Sequence, residues 1–216
     1  PAILTRGYRR SSPEKITLLE PGASAPVART GDEAQILVRS AVAPVGIGRD
    51  RAAVARAMEE RFHPDVFLLD DGFQHWWLDR DLDIVLIDAL DPWGGGSVFP
   101  LGRLREEPSA LSRANMFVIT RAHPGRRLDG IIRRLRAANP QAPIFRARVR
   151  PELWRDPASG ESFALGALPA LKPAVFCGLA NPATFWATLS ELGYEPVMRR
   201  VFPDHHRYRP VEIARL

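Results

Sequence analysis

With 216 residues, 45% of them hydrophobic, the chain is long enough to bury the core of one large domain or two small ones. Its apolar runs are strand-sized, far short of the roughly 18 residues a membrane span needs, and the single Cys177 excludes an intrachain disulfide and a Cys-rich zinc site. Basic residues outnumber acidic ones 30 to 25 for a net charge of +5, but the excess is dispersed and nearly all arginine, which admits an anionic partner and argues against a nucleic-acid tract.

Short β-rich runs alternate with stretches of helical period, the pattern of an α/β sandwich with a mainly parallel sheet. The first strand is "AILTR" (2–6), ending on Arg6, Gly7 and Tyr8. "RTGDEAQILVRS" follows, where Thr30 and Glu33 have the spacing of a capping box and Asp32 lies in the first turn of the helix it would start. After "PVGIG" (44–48), Val54, Met58 and Phe62 line one face of a helix. "DVFLLD" (65–70) and "DIVLID" (83–88) are the next strands. "DPWGGGSVFPLGRLREE" is Gly-rich without the Gly-Lys-Ser/Thr ending of a phosphate loop, and reads as a flexible loop. "MFVITR" (116–121) is a strand, and the helix carrying Leu128, Ile131, Ile132 and Leu135 closes at Asn139-Pro140. From 144 to 164 the helical period is lost, the pattern alternates and "DPASG" marks a turn, as expected of a β-ribbon between domains. "AVFCGL" (174–179) places Cys177 in a core strand. Asn181-Pro182 then starts a helix lined by Phe185, Trp186, Leu189 and Leu192. "FPDHHRY" is a polar loop, and "PVEIARL" has the look of a helix beginning. Pro1 opens directly into a strand, so the chain reads as a piece of something longer.

In a parallel sheet, ligands sit at the carboxyl ends of strands. Asp70 and Asp71 end an apolar strand there, as an acid holding magnesium for a nucleoside triphosphate would, with Gln74 and His75 next to orient a water, a metal ligand or a phosphate. The plain structural alternative is a hairpin turned at Asp71-Gly72. Asp32 is either a helix-start acid or a base accepting a hydroxyl proton. Asp204, His205 and His206 are a polar loop or a base with its orienting partner. Arg103 and Arg105 have the guanidinium forks to clamp an anionic substrate, and Arg6 or Tyr8 can meet a phosphate or a sugar.

In this order, "ILTRGYRR", "GDEA", "PVGIGRDR", "LLDDGFQH", "DLDIVLID", "PLGRLREE", "GLANPATFWATL" and "FPDHH" resemble the tetraacyldisaccharide 4'-kinases, colinearly over nearly the whole chain. The resemblance implies a P-loop-kinase-like α/β/α sandwich (1–143), a β-ribbon linker (144–166) and a smaller α/β domain (167–216). It implies a monomer on the cytoplasmic side of the bacterial inner membrane. There it moves the γ-phosphate of ATP, with Mg2+, to the 4'-hydroxyl of a lipid disaccharide in lipid A biosynthesis. Asp32 becomes the catalytic base and His205 its dyad partner. Asp70 and Asp71 become the magnesium and nucleotide acids with Gln74 and His75 beside them, and Glu33, Arg51, Glu106, Arg6 and Tyr8 contact substrate or nucleotide. A peripheral contact with the anionic membrane surface follows, for which Trp76, Trp77, Trp93 and Phe99 are candidates. No nucleic-acid partner is expected.

The chain departs from the family pattern at Arg9, Ala34, Arg103 and Glu107, and the family's phosphate loop lies upstream of the "RGY" strand. These 216 residues alone are therefore expected to bind ATP poorly and not to turn over. The competing readings are a metal-dependent phosphoesterase, suggested by "DHH", and a truncated relative serving as a binding module.

Overall fold

The computed structural model describes residues 1–123, 125–167 and 172–215, and the chain divides into two compact units, Pro1–Asp83 and Ile84–Leu216. The first contains β1 (Ala2–Thr5), β2 (Ile16–Leu19), α1 (Val27–Thr30), α2 (Asp32–Arg39), β3 (Val45–Gly48), α3 (Arg51–Phe62) and β4 (Phe67–Leu69). The sheet order is β2-β3-β1-β4; β1 runs parallel to both β3 and β4, and β2 closes one edge antiparallel to β3.

Alternation along β1 explains the layering, since successive side chains point to opposite faces. Ile3 joins Val45 and Ile47 in a cluster with Ala34 and Val38 of α2, while Ala2 and Leu4 pack with Val54 and Met58 of α3. Helices thus cover both faces, which is why "AILT" and "VGIG" are buried throughout. Gly46 allows the approach of α3: a Cβ there would stand 2.5 Å from Val54 Cγ1.

The second unit holds β5 (Ile84–Asp88), β6 (Met116–Thr120), α4 (Asp129–Ala138), β7 (Ile144–Arg146), β8 (Leu153–Arg155), β9 (Ser162–Ala164), β10 (Ala174–Cys177), α5 (Pro182–Glu191), β11 (Met198–Val201) and α6 (Pro210–Ile213). Strands β5, β6 and β7 form a parallel sheet whose core of Phe117, Ile119, Ile131 and Leu135 packs against α4. Because β7 pairs with β6, the antiparallel ribbon within 144–166 is confined to β8 and β9, turned by Asp156, whose Oδ1 accepts from the Ala158 N–H at 2.8 Å. Strands β10 and β11 are a parallel pair. Asn139 ends α4 as expected: its Oδ1 accepts from Gln141 and Ala142 N–H, and its Nδ2 donates to the Ser112 and Ala114 carbonyls.

Candidate functional site

The carboxyl ends of β1, β3 and β4 lie side by side, so the segments after them share one edge of the first sheet. β1 leads to Arg6, Gly7 and Tyr8, β3 to Arg49, Asp50 and Arg51, and β4 to Asp70 and Asp71. Helix α2 is drawn to the same place by two glycines. A Cβ on Gly31 would sit 2.4 Å from the Tyr8 carbonyl oxygen, and one on Gly7 2.4 Å from Ile47 Cγ2. This contact sets Asp32, the first residue of α2, beside the turn after β1.

The Thr30–Glu33 capping box does not form. Thr30 is the last residue of α1, fully buried, with its hydroxyl donating to the Gly31 carbonyl at 2.9 Å and accepting from Gln35 Nε2 at 2.8 Å. Gly31, at φ +84°, takes the cap position instead, and Asp32 Oδ1 accepts from the Glu33 N–H at 3.1 Å. Arg9 has φ +56°, a left-handed conformation that glycine adopts most easily.

The hairpin alternative at Asp71-Gly72 also fails, because β4 pairs in parallel with β1 and β5 belongs to a separate sheet. The Asp70 N–H donates to the Leu4 carbonyl at 2.9 Å, and the buried Thr5 hydroxyl donates to Asp70 Oδ2 at 2.8 Å. Asp71 follows with φ +52°. Beyond it the chain makes a turned segment in which the His75 N–H donates to the Gly72 carbonyl at 2.8 Å, and Gln74 lies within that turn.

Arg51, at the start of α3, is the buried cation of this edge. Its Nη1 donates to the Gly48 carbonyl at 2.7 Å and the Arg49 carbonyl at 3.1 Å, and its buried Nε has no hydrogen-bond partner among the described residues. Burial, then Arg6, pushes its pKa down, and Asp70 and Asp71 pull it back up. Burial also lowers the His75 pKa, assisted by Arg51 and Arg80 and opposed by Asp50, which favours the neutral imidazole. Two adjacent acids, a buried guanidinium and a neutral imidazole at strand ends can hold a divalent cation and a phosphate together.

Arg103, Arg105, Glu106, Trp93 and Phe99 belong to the second unit. The Gly-rich segment is stitched rather than flexible: the Arg103 N–H donates to the Gly94 carbonyl at 2.6 Å and the Phe99 N–H to the Leu104 carbonyl at 2.9 Å. Arg103 is paired with Asp91, and Glu106 accepts from Arg113 Nη2 at 3.0 and 2.9 Å, so neither side chain waits unengaged for a substrate. Arg105 lies between them in the same segment. Trp93 is packed against the α4 core with Arg134 4.2 Å over its ring, because the segment folds back on the sheet. Phe99 is 79% exposed, and Trp77, which belongs to the first unit, is 91% exposed; both remain surface groups.

The two histidines separate clearly. His206 stacks on Phe202 at 4.7 Å and meets Glu212 Oε2 at 3.1 Å, a carboxylate held at a pKa of about 2 mainly by the Arg209 side chain. His206 is therefore part of an aromatic cluster with Phe202 and Tyr208. His205 sits at φ +57° with its Nε2 3.4 Å from Asp204 Oδ2. Sequence reasoning passed over Thr5 and Arg80. The only signal for Thr5 was a hydroxyl as the last residue of an otherwise apolar strand.

The family described as tetraacyldisaccharide-1-P 4'-kinase, LpxK, matches residues 1–216. The tetraacyldisaccharide 4'-kinase of Anaeromyxobacter dehalogenans strain 2CP-C is 41% identical over 98% of this chain and 57% of its own. That of Halothermothrix orenii is 35% identical over 99% of this chain and 60% of its own. A crystal structure of LpxK from Aquifex aeolicus, described as an "apo" form in complex with ATP, is 28% identical with a TM-score of 0.68, covering 97% of this chain and 64% of that one. The chain thus spans less than two thirds of the length of these relatives.

Proposed function

The chain belongs to the tetraacyldisaccharide-1-P 4'-kinase family, and on that premise we propose that the protein moves the γ-phosphate of ATP to the 4'-hydroxyl of a tetraacyl glucosamine disaccharide 1-phosphate. The observation that carries this reading is the Asp70–Asp71 pair at the carboxyl end of β4, with buried Arg51 at the start of α3 and Asp32 at the start of α2 on the same edge. Phosphoryl transfer asks a protein chiefly for positioning and neutralisation of charge, and these groups supply both.

The donor set fits magnesium, which takes one or two protein carboxylates and completes its shell with water and phosphate oxygens. Asp70 and Asp71 would hold it; when bound it neutralises charge on the nucleotide phosphates. Asp32 takes the proton of the attacking hydroxyl, and the family resemblance assigns His205 the role of dyad partner. Arg51 and Arg6 offset phosphate charge, Gln74 and His75 orient oxygens beside the acids, and Tyr8, Glu33 and Arg105 contact substrate, as Arg103 and Glu106 do by exchanging their ion pairs with Asp91 and Arg113 for substrate groups. The proposed organisation is a core domain over 1–143, a linker over 144–166 and a second domain over 167–216.

No helix among the described residues is long and apolar enough to cross a membrane. A lipid acceptor requires access to a bilayer surface, so we place the protein peripherally on the cytoplasmic side of the inner membrane, as a monomer, with exposed Trp77 and Phe99 as contacts.

The test is incubation of the protein from its complete reading frame with Mg-ATP and the tetraacyl disaccharide 1-phosphate, followed by mass spectrometry. A product heavier by one phosphate, lost when EDTA removes the divalent ion, is the expected result; a lipid left unmodified by the folded protein counts against the reading. Thr5→Val, which keeps the shape and removes the donor to Asp70, is expected to raise the KM for Mg-ATP roughly thirtyfold, since a hydrogen bond to a charged group contributes about 2 kcal/mol. Steady-state kinetics at varied Mg-ATP checks it.

A further inference from the structure

Arg80 lies outside the Asp70–His75 segment, yet its side chain gathers the far end of that segment. Nη1 donates to the His75 carbonyl at 2.6 Å and to the Leu78 carbonyl at 2.8 Å. Nε and Nη2 donate to the two carboxylate oxygens of Asp83 at 2.7 and 3.2 Å, and both side chains are largely buried, at 17% and 16% exposure. Asp83 therefore fixes the plane of the guanidinium, and the guanidinium fixes two backbone carbonyls. The near end of the segment is anchored separately, by the Asp70 N–H on the Leu4 carbonyl and by Thr5 on Asp70. Between these anchors lie Asp71, Gln74 and His75.

We propose that Arg80, oriented by Asp83, is a positioning residue: it clamps the backbone of His75 and Leu78 so that Gln74 and His75 keep a fixed place relative to Asp70 and Asp71. This rests on the phosphotransfer reading for its catalytic consequence only. A lysine cannot replace it, because a single ammonium lacks the planar fork that serves Asp83 and two carbonyls at once. Burial, then Arg51 and then Arg80 disfavour imidazole protonation at His75, against Asp50. A neutral ring accepts or donates one hydrogen bond in a fixed sense, which suits an orienting group more than a mobile cation does.

The test compares wild type with Arg80→Lys, and with Asp83→Asn as a second variant in case the first folds poorly, in the protein from the complete reading frame. Two readouts are taken: hydrogen-exchange protection along the backbone, and kcat and KM for transfer to the lipid. The expected result is protection lost at least tenfold at the His75 amide and its neighbours, with protection in β1 and β3 unchanged, and kcat lowered on the order of 10–100-fold with KM within threefold, as for other supporting residues that hold a reacting group in place. Protection falling equally throughout, or kcat within twofold of wild type, would overturn the proposal. If wild type transfers no phosphate, the phosphotransfer reading fails, and the exchange data still decide whether Arg80 clamps the segment.

Discussion

Asp32→Ala is expected to lower transfer to the lipid by on the order of 10^2–10^4 in kcat while leaving the protein folded and its affinity for Mg-ATP nearly unchanged. The loss is this large because the proposed acceptor is an alcohol, which attacks poorly unless its proton leaves in the same step. The fold survives because Asp32 opens α2, where its carboxylate accepts from the neighbouring Glu33 N–H. Removing an acid from a first helical turn costs about 1 kcal/mol or less. The substitution therefore separates chemistry from stability: kcat collapses, thermal unfolding moves little, and the nucleotide titration is preserved because Asp70, Asp71 and Arg51 are untouched. A variant that lost activity only through weaker Mg-ATP binding would place Asp32 among the nucleotide contacts instead.

Gly31→Ala is expected to be the most damaging small substitution near the site, destabilising the protein by about 3 kcal/mol or more. Two effects combine. The backbone at φ +84° and ψ 159° lies in a region reserved almost wholly for glycine, and the added Cβ would stand 2.4 Å from the Tyr8 carbonyl oxygen. That oxygen belongs to backbone and cannot swing aside, so α2 must move away from the turn after β1. For a protein of this size such a loss lowers Tm by roughly 6–12 °C. Activity falls further than stability alone dictates, because the displaced helix carries Asp32 with it. Thermal melts paired with kcat at a temperature where the variant is folded distinguish the two losses. A variant with wild-type Tm would show that the Gly31–Tyr8 contact is not required.

Much of this edge was legible in the residues themselves. "DVFLLD" and "PVGIG" announce strands because an α/β sheet is covered on both faces, so its strands are continuous apolar runs, and acids at their carboxyl ends are where such sheets hold ligands. The three long helices were equally clear from their apolar faces, as in Val54, Met58 and Phe62. β2 escaped notice because it has only four residues, sits on an edge, and gains its strand character from pairing with β3. The division after Asp83 coincides with no change in composition, so nothing local marks it. Thr30 shows how a correct spacing can mislead: the hydroxyl that should have capped α2 is consumed by the Gly31 carbonyl and by Gln35.

The supporting residues were the least visible part of the site, for the same reason. Thr5 matters through Asp70, 65 positions away, and Arg80 through the carbonyls of a turn. Neither residue type is unusual where it stands, and only the tertiary pairing gives it a task. His206 is comparable: its neighbour relations with Phe202 and Tyr208 exist only once β10, β11 and the following loop have packed. What distinguishes it from His205 is therefore a property of the fold.

The most direct measurement is transfer of labelled γ-phosphate from Mg-ATP to the tetraacyl disaccharide 1-phosphate, with the protein from its complete reading frame beside its Asp32→Ala variant, both verified as folded. Label appearing on the 4'-position with wild type and falling by at least two orders of magnitude with the variant is the predicted result. Label absent from the lipid with wild type, or equal in the two proteins, would contradict the assignment of this sheet edge as the phosphotransfer site.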